Sequence, residues 1–447
     1  MTGKDLFGEV PSGDGKAKSA GGAARLREPV RDQLELRVMD LEALVGPDHP
    51  VRVIWGYVQK LDLRPLEDAV RARRHTPGQA PVSPRLLLAL WLYATSQGVG
   101  SARALARLCE SHDAYRWLCG GVSVNYHGLA DFRTAHPALL ETLLIESVAS
   151  LSIAGVIDFV ESAQDGIKVR ASAGASSFHR KKKLYKELKK AGRLVARLKQ
   201  EGEDDPGASN RRLKAAAQRA ARERESRIAA ALDQMAEIEA HRARGGRTGR
   251  TNKKKGDKPR EPRASTTDPD ARVMKMADGG FRPAYNCQIA TVAGGQIVTA
   301  VEASKVGTDR ALMRPMLETL DESYGTSPKR HLVDGGYANN DAIEWAADQG
   351  IKVYGPAIRS KHQSDPYAPR PDDGPGLAAW RARMKSPHGK ATYKRRAQAE
   401  CINARFRNWG LLRFAVRGVE KVTTVLRWFA LANNILTGHR LLQAATA

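Results

Sequence analysis

Two aspartates in this sequence stand directly before a glycine, each at the end of a predicted strand. Asp165 lies in IAGVIDFVESAQDGIKVRASAG, and Asp334 lies in HLVDGGYANN. The β-branched residues before each acid predict a short buried strand that ends at the acid. Neighbouring strands of one sheet would bring the two carboxylates together, and such a pair repels unless one binds a proton or a cation lies between them. Mg²⁺ is the expected cation, because it prefers hard oxygen ligands. A turn is the alternative for each Asp-Gly pair taken alone.

A third acid is expected from a helix that packs over the same edge of the sheet. The segment TYKRRAQAECINARFRNWG predicts one long helix. One face of that helix would carry Tyr393, Arg396, Glu400 and Arg407, which follow one another at offsets of 3, 4 and 7 residues. A face with one acid, one tyrosine and two arginines does not suit a core, but it suits a surface that meets a metal and a phosphate. A solvated surface residue is the alternative for Glu400 alone.

The segments around these acids alternate between strand and helix patterns. NCQIATVAGGQIVTAVEAS predicts a hairpin that turns at residues 293–295, and GTDRALMRPMLETLDESYG predicts a helix capped by Thr308 or Asp309. HLVDGG and IKVYGPA predict strands, with NNDAIEWAADQG as a helix between them. The order strand, strand, strand, helix, strand, helix, strand, helix predicts an α/β fold with a mixed sheet flanked by helices.

A basic helical segment interrupts this α/β pattern. Residues 180–263 contain 27 Lys and Arg against 12 Asp and Glu, which accounts for more than half of the net charge of +24. The seam of a coiled coil is predicted by apolar residues at spacings of four and three, namely Leu184, Leu188, Ala191, Val195 and Leu198. A turn at 201–209 and a second helix from about 210 to 243 predict an antiparallel helical hairpin. A solvated charged face is the alternative, but the excess of one sign favours contact with nucleic acid.

The region before the acids is predicted to be all helical. Residues 34–150 carry apolar residues at helical spacing, and two short helices within them are compatible with a helix-turn-helix that reads DNA. Any small helical bundle gives a similar pattern. Residues 1–33 are predicted to be a disordered leader. We therefore expect an all-α DNA-binding domain after the leader, a catalytic domain formed by 151–178 and 264–447, and a basic helical insertion with a flexible linker at 179–263.

Composition favours a cytoplasmic protein that binds a polyanion. The 447 residues carry a net charge of +24, so nucleic acid is the first candidate partner, with a basic chaperone or a ribosome-associated protein as the alternative. No stretch approaches the roughly 18 consecutive apolar residues of a membrane span. The four cysteines form no C-x-x-C pair and are predicted to be reduced packing residues. We expect the protein to associate with the nucleoid when it binds DNA.

The ordered set of motifs resembles the bacterial insertion-sequence transposases of the Asp-Asp-Glu (DDE) type, whose catalytic domain is ribonuclease-H-like. The resemblance is carried by DGIKVRASAG, STTDPDARVMKMADGGFRPAYN, HLVDGGYANN and the helix around Glu400. One group of these enzymes has a Y-x-x-R-x-x-x-E-x-x-x-x-x-x-K signature, and this chain has Arg407 in place of the lysine. Arginine keeps the charge but can bind phosphate through two nitrogens. The likeness spans roughly residues 34–440.

The resemblance implies phosphoryl transfer on DNA by two metal ions. Asp165, Asp334 and Glu400 would be catalytic and would bind two Mg²⁺ ions roughly 3.5–4 Å apart, with Asp165 bridging them and Mn²⁺ able to substitute. The residues implied to position DNA phosphate are Lys168, Arg170, Tyr393, Arg396 and Arg407. The implied partner is double-stranded DNA, both the transposon ends and the target. Because two ends must be joined, a homodimer or a higher synaptic assembly is expected.

Two other functions are compatible with this sequence. A metal-dependent nuclease that cuts DNA without rejoining it would use the same three acids. A domesticated, non-catalytic DNA-binding protein would not need them, and their presence disfavours it. The glycine-rich segments contain no G-x-x-x-x-G-K-[ST] motif, so the sequence gives no support for a P-loop nucleotide site.

Overall fold

A mixed sheet forms the centre of the α/β region. The strands of the structure are β1 (Glu161–Arg170), β2 (Phe178–His179), β3 (Ala264–Ser265), β4 (Arg272–Lys275), β5 (Phe281–Val292), β6 (Val298–Ser304), β7 (Arg330–Leu332) and β8 (Lys352–Tyr354). In the main sheet, β1 lies between β5, which is antiparallel to it, and β7, which is parallel to it. β8 continues the sheet parallel to β7, whereas β4 and β6 both pair with β5 in antiparallel fashion. β2 and β3 form a separate pair.

The structure is a computed structural model that describes residues 40–70, 72, 80–204, 211–244, 261–294, 296–357 and 365–446. Several predicted features lie outside these residues. They are the leader at 1–33, part of the turn at 201–209, most of the basic linker that follows the second helix of the insertion, and Gly295 of the predicted hairpin turn.

The helices fall into three groups along the chain. The first group precedes the sheet and contains α1 (Pro50–Gln59), α2 (Arg64–Asp68), α3 (Pro84–Ser96), α4 (Ala102–Ser111), α5 (Asp113–Cys119), α6 (Tyr126–Ala135) and α7 (Pro137–Ile153). The second group, between β2 and β3, contains α8 (Lys181–Asp204) and α9 (Arg211–Arg244). The third contains α10 (Met313–Tyr324), α11 (Asn340–Asp348), α12 (Pro375–Lys385), α13 (Pro387–Lys394), α14 (Ala397–Asn408) and α15 (Val419–Thr446). In the described part of the chain, none of the helices combines the length and the apolar character that crossing a bilayer requires.

Helices cover both faces of the main sheet, because each face of the sheet is apolar. On one face α10, α11 and α12 bury residues such as Leu317 and Trp380 against the strands. On the other face α14 and α15 bury residues such as Ile402 and Phe429. The α/β region therefore has the mixed sheet flanked by helices that the order of predicted elements indicates.

The last helix joins the sheet to the N-terminal helices. Trp428, Leu431 and Ile435 of α15 lie in one apolar core with the buried helix α3. The indole N–H of Trp428 also donates to the carbonyl of Arg133 at 2.9 Å. The N-terminal helices thus share their core with α15 instead of enclosing a separate one.

The predicted helical hairpin is present as α8 and α9. Arg224 pairs with Glu187 at 3.1 Å, and Gln218 donates to the carbonyl of Leu198 at 2.7 Å. Early residues of α9 therefore meet late residues of α8, which makes the two helices antiparallel. The five predicted seam residues of α8 are all buried or half-buried.

The segment predicted as one long helix is two helices, α13 and α14. At Arg395 and Arg396, between Tyr393 and Glu400, the backbone N–H groups donate to carbonyls three residues back instead of four, so a tighter turn with helical dihedrals separates the two helices. Arg395 pairs at this turn with the buried Glu161 of β1 at 2.6 Å, a contact with a distant strand that the local sequence pattern does not contain.

The cap predicted for α10 is also wrong. The helix begins at Met313 with Leu312 in the capping position, so Thr308 and Asp309 lie outside it. The carboxylate of Asp309 instead accepts hydrogen bonds from two buried amides of β5, those of Asn286 and Gln288.

The four cysteines are free thiols, but they do not all pack in a core. Cys109, Cys119 and Cys287 are buried, as predicted, whereas Cys401 is exposed on α14. Its neighbours on the buried side of that helix, Ile402 and Phe406, fill the core instead.

A side chain closes the free edge of β6. Asn434 of α15 is 1% exposed. Its Oδ1 accepts from the N–H of Val298 at 2.8 Å, and its Nδ2 donates to the carbonyl of the same residue at 2.8 Å. The amide therefore satisfies both backbone groups of Val298, while Tyr324 and Thr423 bond to the carbonyl of Thr299 and the N–H of Ala303 on the same strand.

We expect Asn434→Leu to lower the free energy of unfolding by about 2–6 kcal/mol. The substitution leaves the N–H and the carbonyl of Val298 buried without partners, at a cost of about 1–3 kcal/mol each. Chemical denaturation followed by circular dichroism measures the change. Gln443→Leu, at an exposed position of the same helix, is the control. Equal stability of the two variants would contradict the role given to Asn434.

Candidate active site

Asp165 and Asp334 occupy equivalent positions in the register of two neighbouring parallel strands, Asp165 within β1 and Asp334 just after β7. β1 and β7 pair at three positions, and the last of these sets Ala163 opposite Leu332. Asp165 lies two residues beyond Ala163, and Asp334 lies two residues beyond Leu332. Because neighbouring strands are about 4.8 Å apart, this register brings the two acids to one edge of the sheet.

Asp165 lies in the middle of its strand, so the prediction that it ends a strand is wrong. β1 continues past Asp165 because β5 pairs with it as far as Arg170 opposite Ala284. What ends here is the partner strand β7, and its departure leaves an opening beside the acid. The Asp165 side chain keeps 18% of its surface exposed in that opening. The Asp-Gly pair is therefore not a turn.

Asp334 is both a turn residue and a candidate site residue. Its Oδ1 accepts from the N–H of Gly336 at 2.7 Å, at the start of the 3₁₀ turn Gly335–Tyr337. A Cβ atom at position 336 would lie 2.9 Å from that oxygen, so glycine is needed for the close approach. Among the described residues, the second carboxylate oxygen of Asp334 accepts no hydrogen bond.

Helix α14 brings the third acid over the same edge. Ile402 and Phe406 anchor the helix in the core beneath the sheet. Between them Asn403, which is 6% exposed, donates from Nδ2 to Oδ2 of Asp165 at 2.8 Å. Glu400 lies one turn before Asn403, in the first turn of the helix, where the helix dipole favours a negative charge. The structure thus brings Glu400 and Asp165 together.

Arg396 links these two carboxylates. Its Nη1 lies 3.6 Å from Oδ1 of Asp165, and its Nη2 donates to Oε1 of Glu400. Its guanidinium carbon lies 5.8 Å from the centre of the Tyr393 ring. Tyr393, Arg396 and Glu400 are therefore neighbours, as predicted, although they do not share one continuous helix.

Burial raises the pKa of Asp165 above its ordinary value. The charge of Arg396 and the hydrogen bond from Gly166 act in the opposite direction, whereas the charges of Asp334 and Glu400 raise the pKa further. The net direction means that the protein alone does not fully compensate the negative charge of this carboxylate.

Among the described residues, no hydrogen bond or ion pair joins the remaining predicted phosphate contacts to the three acids. Lys168 is half-buried on β1, and Arg170 is exposed at the end of the same strand. Arg407 is exposed on α14, seven residues after Glu400. The structure leaves both arginines open to solvent, and phosphate contact by all three side chains stays a prediction.

The three acids are neighbours, but they do not form a closed ligand shell. Across the ranges that the structure describes, no three His, Cys, Asp or Glu side chains are arranged to hold a metal ion. At this edge, Arg396 contacts both Asp165 and Glu400, and Asp334 bonds to its own turn. The donors nevertheless fit Mg²⁺ or Mn²⁺, because all of them are carboxylate oxygens and their charge is incompletely compensated.

Asn403 is a site residue that was not predicted from the sequence. It follows Glu400 by three residues, so the two share a face of α14. A polar residue between the buried Ile402 and Phe406 is the signal that could have revealed it. Its Nδ2 holds Asp165, while its buried Oδ1 has no partner among the described residues. Asn403 is therefore a positioning residue for the Asp165 carboxylate.

Together, these features define an α/β protein with three carboxylates at one edge of its sheet and a basic helical insertion. Residues 39–135 match the family described as Transposase domain (DUF772), and residues 258–435 match the family described as Transposase DDE domain. The two matches together cover more than half of the chain, and the second contains Asp334 and Glu400 but not Asp165. The chain belongs to the insertion-sequence transposases of the DDE type. No curated protein and no solved structure matches it.

We expect Asp165→Asn to stabilise the metal-free protein at pH 7. The pKa of Asp165 is raised in the folded protein, so the folded state binds this proton more tightly than the unfolded chain does. The ionised carboxylate therefore lowers stability at neutral pH, and the gain from asparagine should shrink as the pH falls towards about 4, the pKa of the unfolded carboxyl, because both states bind the proton below that pH. Asn403 can turn its amide to present Oδ1 to the new side chain.

Thermal unfolding in EDTA at pH 7 and at pH 4 measures this change. Asp348→Asn, at an exposed helix end, is the matched control. A destabilised variant, or a gain that does not depend on pH, would contradict the electrostatic account of the site.

Proposed function

We propose that this transposase binds the terminal inverted repeats of an insertion sequence, cleaves the ends, and joins the freed 3′-OH to target DNA by two-metal-ion phosphoryl transfer. The observation that carries the proposal is the meeting of Asp165, Asp334 and Glu400 at one edge of the sheet. The net charge of +24 and the two transposase family matches support DNA as the substrate. A homodimer or a higher assembly is part of the proposal, because two ends are joined.

We also propose that the α/β region is ribonuclease-H-like. The strand order β6, β5, β1, β7, β8 supports this, with the first two pairings antiparallel and the last two parallel. The flanking helices on both faces support it as well. In this arrangement one acid lies on the first long strand, one follows its parallel neighbour, and one lies on a later helix.

Asp165, Asp334 and Glu400 are the residues proposed to hold two divalent cations, Mg²⁺ or Mn²⁺. Such cations would activate the attacking oxygen and stabilise charge on the leaving oxygen of an in-line displacement at phosphorus. The chain itself supplies the fixed geometry. Asn403 holds one carboxylate by a 2.8 Å hydrogen bond, and the turn at Gly336 holds another.

Positive side chains beside the acids are proposed to position DNA phosphate. Arg396 is the central one, because its side chain is only 14% exposed and its fork of nitrogens suits two phosphate oxygens. Lys168, Arg170, Tyr393 and Arg407 would add contacts that carry little sequence information. No protein nucleophile takes part, since water and then the DNA 3′-OH attack phosphorus.

The outer face of α8 is proposed to bind the DNA backbone away from the acids. A stripe of cations recurs every three or four residues on the side of α8 opposite its buried seam, and it consists of Lys182, Lys186, Lys189, Arg193 and Arg197. All five side chains are exposed, and within the described residues only Arg197 has an ion pair, with Glu201 at 3.5 Å. At 1.5 Å per residue the stripe is about 22 Å long. The sixteen residues from Lys182 to Arg197 place no acid on this face, which favours a polyanion over solvation alone.

The C-terminal half of α9, the second helix of the insertion, is bonded to residues of the main sheet and of the segment that follows β6. Lys305, which follows β6, pairs with Glu237 of α9 at 2.7 Å. Arg272 of β4 donates to Gln234 of the same helix. The cationic stripe is therefore carried by a pair of helices with a fixed attachment to the region that holds the acids.

We expect Asp334→Asn to abolish divalent-cation-dependent cleavage of end DNA and to leave DNA binding intact. The asparagine Oδ1 can still accept from Gly336, so the turn is kept while the charge is lost. Cleavage of labelled end DNA and mobility-shift binding measure the two properties, with the exposed Asp341→Asn as control. Cleavage that survives in Asp334→Asn would show that the site assignment is wrong. A 3′-OH strand-transfer assay on the wild-type protein separates a transposase from a nuclease that only cuts.

We expect the triple variant Lys186→Gln, Lys189→Gln, Arg193→Gln to bind DNA more weakly and with less dependence on salt. Log affinity falls with log salt, and each lost phosphate contact makes this negative slope about 0.9 less steep. The magnitude of the slope should therefore decrease by about 2 to 3. Fluorescence anisotropy across a salt series measures it.

The matched control for the stripe removes the same charge from arginines that already have acidic partners. It combines Arg64→Gln, Arg227→Gln and Arg314→Gln, whose partners are Asp62, Glu223 and Glu318. If the control changes the slope as much as the stripe variant does, net charge and not the α8 surface determines binding.

A further inference from the structure

Three buried amides lie inside the sheet beside the acids. Gln164 of β1 and Gln288 and Asn286 of β5 are 0%, 2% and 1% exposed. Burying an amide is unfavourable unless its groups are hydrogen-bonded, and a fully satisfied network holds its members in one arrangement. The proposed function gives these three side chains no role.

The hydrogen bonds of these amides converge on a single carboxylate oxygen. Gln164 donates to Oε1 of Gln288 at 2.8 Å, and the hydroxyl of Tyr337 donates to the same oxygen. With Oε1 fixed in this way, Nε2 of Gln288 donates to Oδ1 of Asp309 at 3.0 Å. Nδ2 of Asn286 donates to that oxygen at 2.7 Å. The network therefore holds the Asp309 carboxylate in one orientation.

Asp309 lies against the backbone that carries both catalytic aspartates. A Cβ atom at Gly166, next to Asp165, would be 3.1 Å from Oδ1 of Asp309. A Cβ atom at Gly336, in the turn after Asp334, would be 3.8 Å from Oδ2 of Asp309 and 2.9 Å from Oδ1 of Asp334. Gly166 thus makes room for the amide network and for a fourth acid. The second oxygen of that acid approaches the same backbone position, Gly336, that Oδ1 of Asp334 approaches.

The negative charges of Asp309 and Asp334 are not compensated by a nearby cationic side chain in the described residues. Arg396 forms ion pairs with Asp165 and Glu400. In the part of the chain that the structure describes, neither Asp309 nor Asp334 forms an ion pair. The Oδ2 atom of Asp309 also accepts no hydrogen bond there. The negative charges of Asp309, Asp165 and Asp334 all raise the pKa of Tyr337, after burial, so its hydroxyl stays protonated and donates to Gln288. Two partly buried carboxylates that share a small space favour a cation between them.

We propose that Asp309 is a fourth carboxylate of the divalent-cation site, and that its free Oδ2 binds the cation together with Asp334. This inference rests on the proposed function, because it assumes that the acidic edge binds Mg²⁺ or Mn²⁺. It adds a residue that the three-acid pattern does not contain. It also gives the buried amides a purpose, since they hold Oδ1 so that Oδ2 is already oriented when the cation arrives.

The test is Mn²⁺ binding to the full-length protein without DNA, measured by the electron paramagnetic resonance signal of free Mn²⁺. Asp309→Asn removes the charge but keeps an Oδ1 that Asn286 and Gln288 can bond. Asp334→Asn reports on the site itself, and the exposed Asp348→Asn is the surface control. The rise of the thermal midpoint with added MnCl₂ gives a second measure of affinity, which holds when the variant's baseline stability differs. Asp309→Ser serves in the same titration if the asparagine variant does not fold.

We expect Asp309→Asn to weaken Mn²⁺ binding by about tenfold to a hundredfold, Asp334→Asn to weaken it as well, and Asp348→Asn to leave it unchanged. If Asp309→Asn binds Mn²⁺ like the wild type while Asp334→Asn does not, Asp309 is only an acceptor for buried amides and the inference is overturned. If Asp334→Asn also binds like the wild type, the cation site of the proposed function fails with it.

Discussion

The site depends on the contact between helix α14 and the middle of strand β1. Ile402 and Phe406 hold the helix in the core, and the amide of Asn403 then reaches the Asp165 carboxylate at 2.8 Å. This contact places Glu400 beside Asp165, and it places Arg396 where its guanidinium can reach both acids. Without it, the strand and the helix would each carry an isolated acid, and the register of β1 and β7 would supply only two of the three carboxylates.

The same arrangement is unfavourable for stability. Burial and neighbouring acids raise the pKa of Asp165, and Asp334 and Asp309 lie close together without an ion pair in the described residues. Glycines at 166 and 336 remove side chains that would fill the space. Proteins commonly sacrifice some stability at a functional site in this way. The surrounding sheet, with helices on both faces, supplies the stability that the acidic edge lacks.

Much of the architecture could be predicted because apolar periodicity and glycine positions are local signals. The order of strands and helices, the β5–β6 hairpin and the antiparallel α8–α9 pair follow from such patterns. Features set by distant contacts could not be predicted. β1 runs through Asp165 because β5 supports it, and the helix breaks before α14 where Arg395 pairs with Glu161. Asn403 and Asp309 were missed for the same reason, since their partners lie on other strands.

Whether these carboxylates bind the catalytic cations is tested most directly by anomalous diffraction from crystals of the full-length protein with end DNA and Mn²⁺. We expect manganese peaks at ligand distance, about 2.0–2.2 Å by analogy with Mg²⁺, from carboxylate oxygens of Asp165, Asp334 and Glu400, with a DNA phosphate beside them. Manganese bound elsewhere, with these three carboxylates unligated while the DNA end is in place, would contradict it.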